Sequence, residues 1–183
     1  MGLVSDHVTG YVRNMSFVKP SELEVLATIH SSMGRRILGI GSLYVLSLSV
    51  IYVAISQPPA LGWQLFLLVL GGVSIWISEK MRRATGNVLE LNHLELRDTS
   101  GVVIARIEDM VSVDRGAFAF KPSNGFLIRL GAGAERTWQP GMWWRFGTCV
   151  GVGGMTPGPQ TKFMAETILA MITKRDLDLL KDD

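Results

Sequence analysis

Two long uncharged runs dominate the hydrophobic pattern in the first half of the chain. They are "ILGIGSLYVLSLSVIYVAI", residues 37–55, and "ALGWQLFLLVLGGVSIWIS", residues 60–78. Each is close to the roughly 20 residues that a helix needs to cross a bilayer, and the prolines of the intervening "SQPP" cannot continue a helix. The pattern predicts a transmembrane hairpin over residues 37–83. A buried hairpin of a soluble protein is the alternative, and a cleaved signal peptide is disfavoured because a second run follows at once.

Basic residues flank the hairpin at its two outer ends. Arg35 and Arg36 precede the first run, Lys80, Arg82 and Arg83 follow the second, and the connecting turn has none. Since positively charged flanks stay on the cytoplasmic side, both termini are expected to be cytoplasmic. The tryptophans and the tyrosine near the ends of the runs suit the membrane interfaces, and they are Tyr52, Trp63 and Trp76.

Small residues recur at helical spacing within both runs. Small side chains let membrane helices approach closely, so these positions predict the faces along which the two helices pack. The alternative is that serine and glycine are simply common in membrane spans. The positions are Ser42, Ser49 and Ser56 on the first run and Gly71, Ser74 and Ser78 on the second.

The second half of the chain alternates between apolar and polar positions with a period of two, which is typical of β-strands. The segments "NVLELNHLELRD", "VVIARIEDMVSVDRG" and "AFAFKPSNGFLIRL" read as strands and a hairpin that turns at residues 122–125. "GAGAER" is predicted to be a loop, and Pro140-Gly141 a type II turn. Before the first run, "SELEVLATIHSS" alternates too and predicts a strand, with a short amphipathic helix as the alternative.

A helix is expected to end the domain. Thr156 is a candidate N-cap and Pro157 fits a first turn. Apolar residues then share one face, and they are Met164, Ile168, Met171 and Ile172. The predicted fold class is therefore an α+β membrane protein, with two transmembrane helices and a small antiparallel β half-barrel capped by a C-terminal helix. The predicted divisions are an N-terminal cytoplasmic segment, 1–36, the hairpin, 37–83, the β domain, 84–175, and a tail, 176–183.

Charge and composition narrow the functional classes. Residues 84–183 carry 11 basic and 12 acidic groups, so the predicted cytoplasmic domain lacks the basic charge excess typical of nucleic-acid binding. The single cysteine, Cys149, excludes an intrachain disulfide. It lies in an apolar strand, where a small buried hydrophobe is expected rather than a reactive thiol.

The sequence shows no convincing catalytic set. Glu108 and Asp109 are adjacent, so their side chains diverge and do not form an acid/base pair. The glycines at 151–154 precede a helix without the GxxxxGK[ST] pattern of a phosphate loop. The three histidines are scattered and have no zinc-ligand spacing. We therefore expect a protein that is not an enzyme, with no cofactor and no metal.

Several segments together resemble a known family. "ELEVLATIHSSMGRR" before the first run, "LELNHLELRDTSGVVIARIEDMVSV" after the second, "GFLIRL" and the final helix are similar to the bacterial pleckstrin-homology-like membrane proteins, over roughly residues 22–173. The resemblance implies a pleckstrin-homology-like (PH-like) fold beside a membrane hairpin in the bacterial inner membrane, and no catalytic residue. Basic residues for a lipid headgroup are diluted by acidic neighbours, and they are Lys121, Arg129, Arg136 and Arg145.

The stretch "TWQPGMWWRFG", residues 137–147, lies outside the resemblance and holds three of the five tryptophans. If a strand leaves the Pro140-Gly141 turn, its side chains alternate. Alternation starting at Met142 assigns Met142, Trp144 and Phe146 to the interior.

The same alternation assigns Trp143 and Arg145 to the outer face, and Trp138 has no assigned face. Tryptophan beside arginine suits a protein interface, so Trp143, Arg145 and Trp138 are the predicted interface residues. The alternatives are the lipid headgroup zone and a tryptophan covered by a neighbouring loop.

These observations lead to a functional expectation by elimination. The chain is expected to be a membrane-anchored binding or scaffolding module, an accessory subunit or assembly factor of a larger inner-membrane complex, respiratory or photosynthetic. Its expected partners are membrane lipids and other membrane-protein subunits, not nucleic acid. An anionic-lipid headgroup-binding protein and a small membrane enzyme are the alternatives.

Overall fold

The computed structural model describes residues 24–57, 59–116 and 122–181. The described chain forms three α-helices, two antiparallel sheets and a single 3-10 turn, which confirms the predicted α+β class. The helices are α1 (Met33–Ser56), α2 (Leu61–Ala84) and α3 (Gly158–Leu179). The strands are β1 (Ala27–Ile29), β2 (Leu89–Leu91), β3 (Glu95–Asp98), β4 (Val103–Arg106), β5 (Met110–Asp114), β6 (Phe126–Gln139) and β7 (Trp143–Val152), and the 3-10 turn is Ile107–Asp109.

Helices α1 and α2 form a hairpin. Each has 24 residues, which corresponds to about 36 Å at the α-helical rise. Both are long and apolar enough to cross a membrane. Most of their apolar side chains point away from the rest of the protein, as Leu65, Phe66 and Val69 do. That exposure is unlike a core helix of a soluble protein, whose apolar face is covered.

The first sheet has the order β1-β2-β3-β4. Strand β1 precedes the hairpin in sequence, yet it pairs with β2 beyond the hairpin, with Ala27 opposite Leu91 and Ile29 opposite Leu89. The hairpin is therefore inserted in the connection between two neighbouring strands of one sheet. Residues 24–32 pack with the β domain rather than forming part of a separate N-terminal segment. The strand predicted around them is present but short, and Val25 is exposed.

The second sheet has the order β5-β6-β7, and Ile128 on its central strand pairs with Val113 on one side and Val150 on the other. Strand β6 continues through "GAGAER", so the loop predicted there is wrong. Small residues have low strand propensity, but pairing with β7 overrides it. The mismatch appears as register shifts between Arg129 and Thr137.

The hydrophobic core lies between the two sheets and α3. Helix α3 contributes Met164, Ala165, Ile168 and Ile172, and the predicted Met171 is partly buried beside them. Each of the seven strands contributes at least one fully buried side chain, and these include Ile29, Leu89, Leu91, Leu96, Ile104, Met110, Phe126, Ile128, Val150 and Val152.

Both ends of α3 differ from the prediction. Pro157 occupies the N-cap position and no side chain caps the helix, so Thr156 is not the cap. Its hydroxyl is buried and has no hydrogen-bond partner among the described residues. The helix extends to Leu179 rather than ending near 175. Arg175 supports this extension because its Nη1 donates to the carbonyl oxygens of Ile107 and Met110, at 2.8 and 2.9 Å.

The turn at Pro140-Gly141 matches the type II prediction. Gly141 has φ +84°, a conformation that favours glycine, and the Met142 amide donates to the Gln139 carbonyl oxygen at 3.1 Å. In the other predicted turn, the Gly125 amide donates to the Pro122 carbonyl oxygen at 3.1 Å. The first arm of that hairpin, with Phe118 and Phe120, lies outside the described residues.

Candidate functional site

The side chains after the Pro140-Gly141 turn alternate between core and outer face, but the alternation is shifted by one residue from the prediction. Met142 and Trp143 are both buried, with 1% and 2% of their surface exposed, whereas Phe146 is 43% exposed and Trp144 is half-buried. Met142 belongs to the turn, and the strand ladder begins at Trp143, opposite Gln139. Alternation therefore starts at 143, so Trp143 faces the core and Trp144 and Phe146 face outward. The predicted faces of all three side chains were wrong.

Arg145 joins the two sheets instead of projecting toward a partner. Its Nη1 donates to the carbonyl oxygens of Val103 and Ile104 on β4, at 3.1 and 2.9 Å. Its Nε donates to the Glu135 carbonyl oxygen on β6 at 2.8 Å. An arginine whose donors are held by backbone carbonyls on two strands has a structural role. This clamp explains Arg145 without an external partner.

An outward-facing aromatic cluster lies on β6 and β7. Trp138 and Trp144 are directly opposite one another in the ladder. The Trp144 and Phe146 rings are 5.4 Å apart between centroids, and the Arg136 guanidinium carbon is 5.6 Å from the Phe146 ring. Cross-strand aromatic pairs of this kind stabilise a sheet face, and the arginine adds a cation–π contact.

The cluster continues onto helix α2 through one lysine. The Lys80 ammonium lies 5.2 Å from the centroid of the Trp76 ring and 5.0 Å from that of the Trp138 ring. The lysine thus connects an aromatic residue on the helix to one on the sheet. We call the whole surface the aromatic strip, and it consists of Trp76, Lys80, Arg136, Trp138, Trp144 and Phe146.

One glycine makes the position of the Trp144 ring possible. The ring lies across Gly151, further along the same strand, and a Cβ at 151 would overlap its indole atoms. Gly151 is buried beneath the ring. The absence of a side chain at Gly151 therefore leaves room for the indole against the strand. The sequence contained this signal in the glycines at 151–154, which the sequence analysis compared only with a phosphate loop.

Hydrogen bonds fix the base of the hairpin to the β domain, and this junction positions the strip. The Ser32 amide donates to the Met155 carbonyl oxygen at 2.6 Å, and the Met155 amide donates to the Gly141 carbonyl oxygen at 2.9 Å. The Ser31 hydroxyl donates to the Thr85 carbonyl oxygen at 2.7 Å, which links the two ends of the hairpin. The Pro140-Gly141 turn is therefore connected through Met155 to Ser32, the residue that precedes α1.

The predicted packing face is found on α2 but not on α1. Gly71, Ser74 and Ser78 are buried against the other helix, whereas Ser42, Ser49 and Ser56 are exposed.

Ser47, rather than Ser42, Ser49 or Ser56, is the serine of α1 that packs against α2. It is fully buried, and its hydroxyl donates to the Gly71 carbonyl oxygen at 2.8 Å. A Cβ on Gly71 would come within 2.5 Å of the Ile51 side chain. Ser47 is also one of the serines of α1. The spacing of seven residues between Ser42, Ser49 and Ser56 instead favoured the face that the structure shows to be exposed.

The basic residues considered for a lipid headgroup do not form one pocket. Lys121 lies outside the described residues. Arg129 is exposed on β6, Arg136 belongs to the aromatic strip and Arg145 is the inter-sheet clamp. The described members of this set are therefore separated in space and do not form a common pocket for a lipid headgroup.

A cleft of about 550 Å³ lies between α3 and the β2–β3 connection. Its charged lining has both signs, with Arg106, Lys174 and Arg175 beside Glu95, Glu108 and Asp178. Within residues 24–57, 59–116 and 122–181, no group of three His, Cys, Asp or Glu side chains is placed to hold a metal ion. Among the described residues the cleft therefore offers no metal-ligand set, and we take the aromatic strip as the candidate site.

Comparison with known proteins adds no relative from which a role can be transferred. No protein-family model matches the chain, and no curated protein or solved structure shows significant similarity to it.

Proposed function

We propose that this chain is a non-enzymatic, membrane-anchored binding or scaffolding module, an accessory subunit or assembly factor of a larger bacterial inner-membrane complex, respiratory or photosynthetic. In this proposal α1 and α2 cross the membrane and both termini are cytoplasmic. The β domain is then a PH-like module at the cytoplasmic surface. The four-stranded and three-stranded antiparallel sheets and the terminal helix packed on them support this assignment, as does the resemblance of the sequence pattern.

The observation that carries the proposal is the fixed junction between the hairpin and the β domain. A domain joined to its anchor by a flexible linker can take many positions and orientations relative to that anchor. Here the Ser32–Met155 and Met155–Gly141 backbone bonds and the Ser31–Thr85 bond leave no linker at the base of the hairpin. The domain therefore holds its surfaces at one height and one orientation above the helices, which suits a subunit that positions a partner.

The test begins with the unaltered chain in its native membranes. After solubilisation in a mild detergent, native electrophoresis should show the 20.1 kDa chain in a larger assembly whose integral membrane components are present at fixed stoichiometry by mass spectrometry. Migration as a monomer under several mild detergents would contradict the proposal.

A matched pair of insertions tests whether the fixed junction matters. Flexible Gly-Ser insertions between His30 and Ser31 and between Thr85 and Gly86 together free both helices from the β domain, and an insertion of the same length in the exposed turn at Ser100-Gly101 leaves the junction intact. We expect the first to release the partners and the second to retain them, with the β domain folded in both. Retention by both variants would show that rigid positioning is not the role of the junction.

A further inference from the structure

We infer that the aromatic strip lies in the headgroup layer of the membrane that α1 and α2 cross, with its rings among the lipid headgroups and Lys80 and Arg136 facing lipid phosphates. This inference rests on the proposed function, because it requires α2 to span the membrane. It adds a second contact with the bilayer, made by the β domain itself.

The position of the strip along α2 sets its height. Trp76 lies near the end of the uncharged run 60–78, and Lys80 lies just beyond it. They are one helical turn apart, or about 6 Å along the axis. Tryptophan followed by lysine at the end of a span marks the boundary between hydrocarbon and headgroups. Because Lys80 also contacts the Trp138 ring at 5.0 Å, the sheet reaches the same level.

The strip is continuous from this boundary onto the sheet. Trp138 faces Trp144 across the ladder, and Trp144 contacts Phe146. Three of these aromatic residues expose much of their surface, with Trp76 at 58%, Phe146 at 43% and Trp138 at 38%. Exposed aromatic area of this kind is unfavourable in water and marks an interaction site. Continuity with a membrane helix identifies that partner as the lipid surface rather than a soluble protein.

The charges of the strip match a phosphate layer. Of its six residues two are cationic and none is acidic. The nearest carboxylate along α2, Glu79, is engaged by Arg82 and Arg83 at 2.7 and 2.8 Å. A lysine or arginine close to an anionic membrane contributes about 1 kcal/mol of attraction, so anionic phospholipid should strengthen the contact.

Spin-label accessibility on the full chain tests the inference. In a Cys149→Ser background, single cysteines replace Phe146 on the strip, Val69 in the middle of α2 and Thr173 on the outer side of α3, all three exposed. The labelled proteins are reconstituted in nanodiscs of phosphatidylcholine with and without phosphatidylglycerol. Collision with oxygen reports lipid, and collision with a water-soluble nickel chelate reports water.

We expect the Phe146 label to show severalfold lower nickel accessibility than the Thr173 label, with an oxygen-to-nickel ratio between those at Thr173 and Val69. Phosphatidylglycerol should raise that ratio. If the Phe146 label is as accessible to nickel as the Thr173 label while the Val69 label is accessible mainly to oxygen, the inference is overturned and the membrane hairpin of the proposed function stands. If Val69 is itself accessible to nickel, the hairpin does not span and the proposed function fails as well.

A second variant separates the rings from the fold. Trp138→Ser with Trp144→Ser removes two rings from the outer face of the strip and leaves the buried Trp143 in place. With the fold verified by circular dichroism, the Phe146 label should move toward the aqueous values of Thr173. An unchanged Phe146 label would show that the rings do not make the contact, which would overturn the inference.

Discussion

Truncating the two adjacent tryptophans should have unequal effects, and the order is the reverse of what alternation from Met142 predicts. Trp143 is 2% exposed and is one of the largest fully buried side chains among the described residues. Replacing a buried aromatic residue with alanine costs about 3–5 kcal/mol. Trp144 is half-buried and lies on the outer face, so Trp144→Ala should cost about half as much, since the cost of truncation follows the apolar area that is buried.

The difference is large enough to measure by thermal unfolding. The β domain with β1 is about 100 residues, for which 1 kcal/mol corresponds to a shift in Tm of about 4–8 °C. Trp143→Ala should therefore lower the Tm of the β domain by more than about 12 °C, and Trp144→Ala by about half as much as Trp143→Ala.

The assay is circular dichroism of the full chain in detergent, with the labelling rate of Cys149 as a second probe on the same strand. Cys149 is half-buried on β7, so its thiol becomes more reactive when this strand opens. The folding of the hairpin is followed separately through the helical signal. An equal or greater loss for Trp144→Ala would refute the strand register and the burial argument together.

Three further predictions follow from the hairpin and the sheets. Ser47→Leu should separate α1 from α2 at Gly71, whereas Ser49→Leu should leave the hairpin intact because the Ser49 side chain points outward. The yield of disulfide crosslinking between cysteines at facing positions near the turn measures this separation, and equal yields for the two variants would contradict the prediction. Arg145→Met should destabilise the β domain by about 1.5–3 kcal/mol, since it leaves backbone carbonyls without a charged donor. Arg136→Met on the outer face should change stability by less than about 0.5 kcal/mol. Urea unfolding of the two variants compares these effects, and similar midpoints would rule out the inter-sheet role of Arg145. A reporter that is active only outside the cytoplasm should work in the turn between α1 and α2 and stay silent at the C-terminus, and activity at the C-terminus would overturn the proposed orientation.

The sequence predicted elements whose signal is local. Two uncharged runs were sufficient for the hairpin helices, although each helix extends beyond its run into polar residues, as α2 does to Ala84. The Pro140-Gly141 turn was predictable because its conformation depends on a glycine at one position. The core face of α3 followed from helical periodicity.

Features that depend on tertiary pairing were not predictable in the same way. Whether Ser47 or Ser49 faces α2 is decided by the approach of Gly71, 24 residues away from Ser47. Which of Trp143 and Trp144 faces the core depends on the residue at which the ladder starts, because a shift of one residue moves each side chain to the opposite face of the sheet. The aromatic strip requires Lys80 to meet Trp138 across two elements, and no local pattern connects positions so far apart.

The insertion of the hairpin between β1 and β2 has a consequence for engineering a water-soluble version of this protein. The residues where the chain leaves the β domain and returns to it are adjacent, since the Ser31 hydroxyl contacts the Thr85 carbonyl oxygen at 2.7 Å. A short glycine bridge from Ser32 to Thr85 could therefore replace both long helices without stretching the chain, in the way that inserted domains are excised between close termini. The excised protein should keep β1 in its sheet and run as a folded species in gel filtration without detergent. A truncation that simply starts after α2 would lack β1, and would leave Leu89 and Leu91 without the strand that pairs with them.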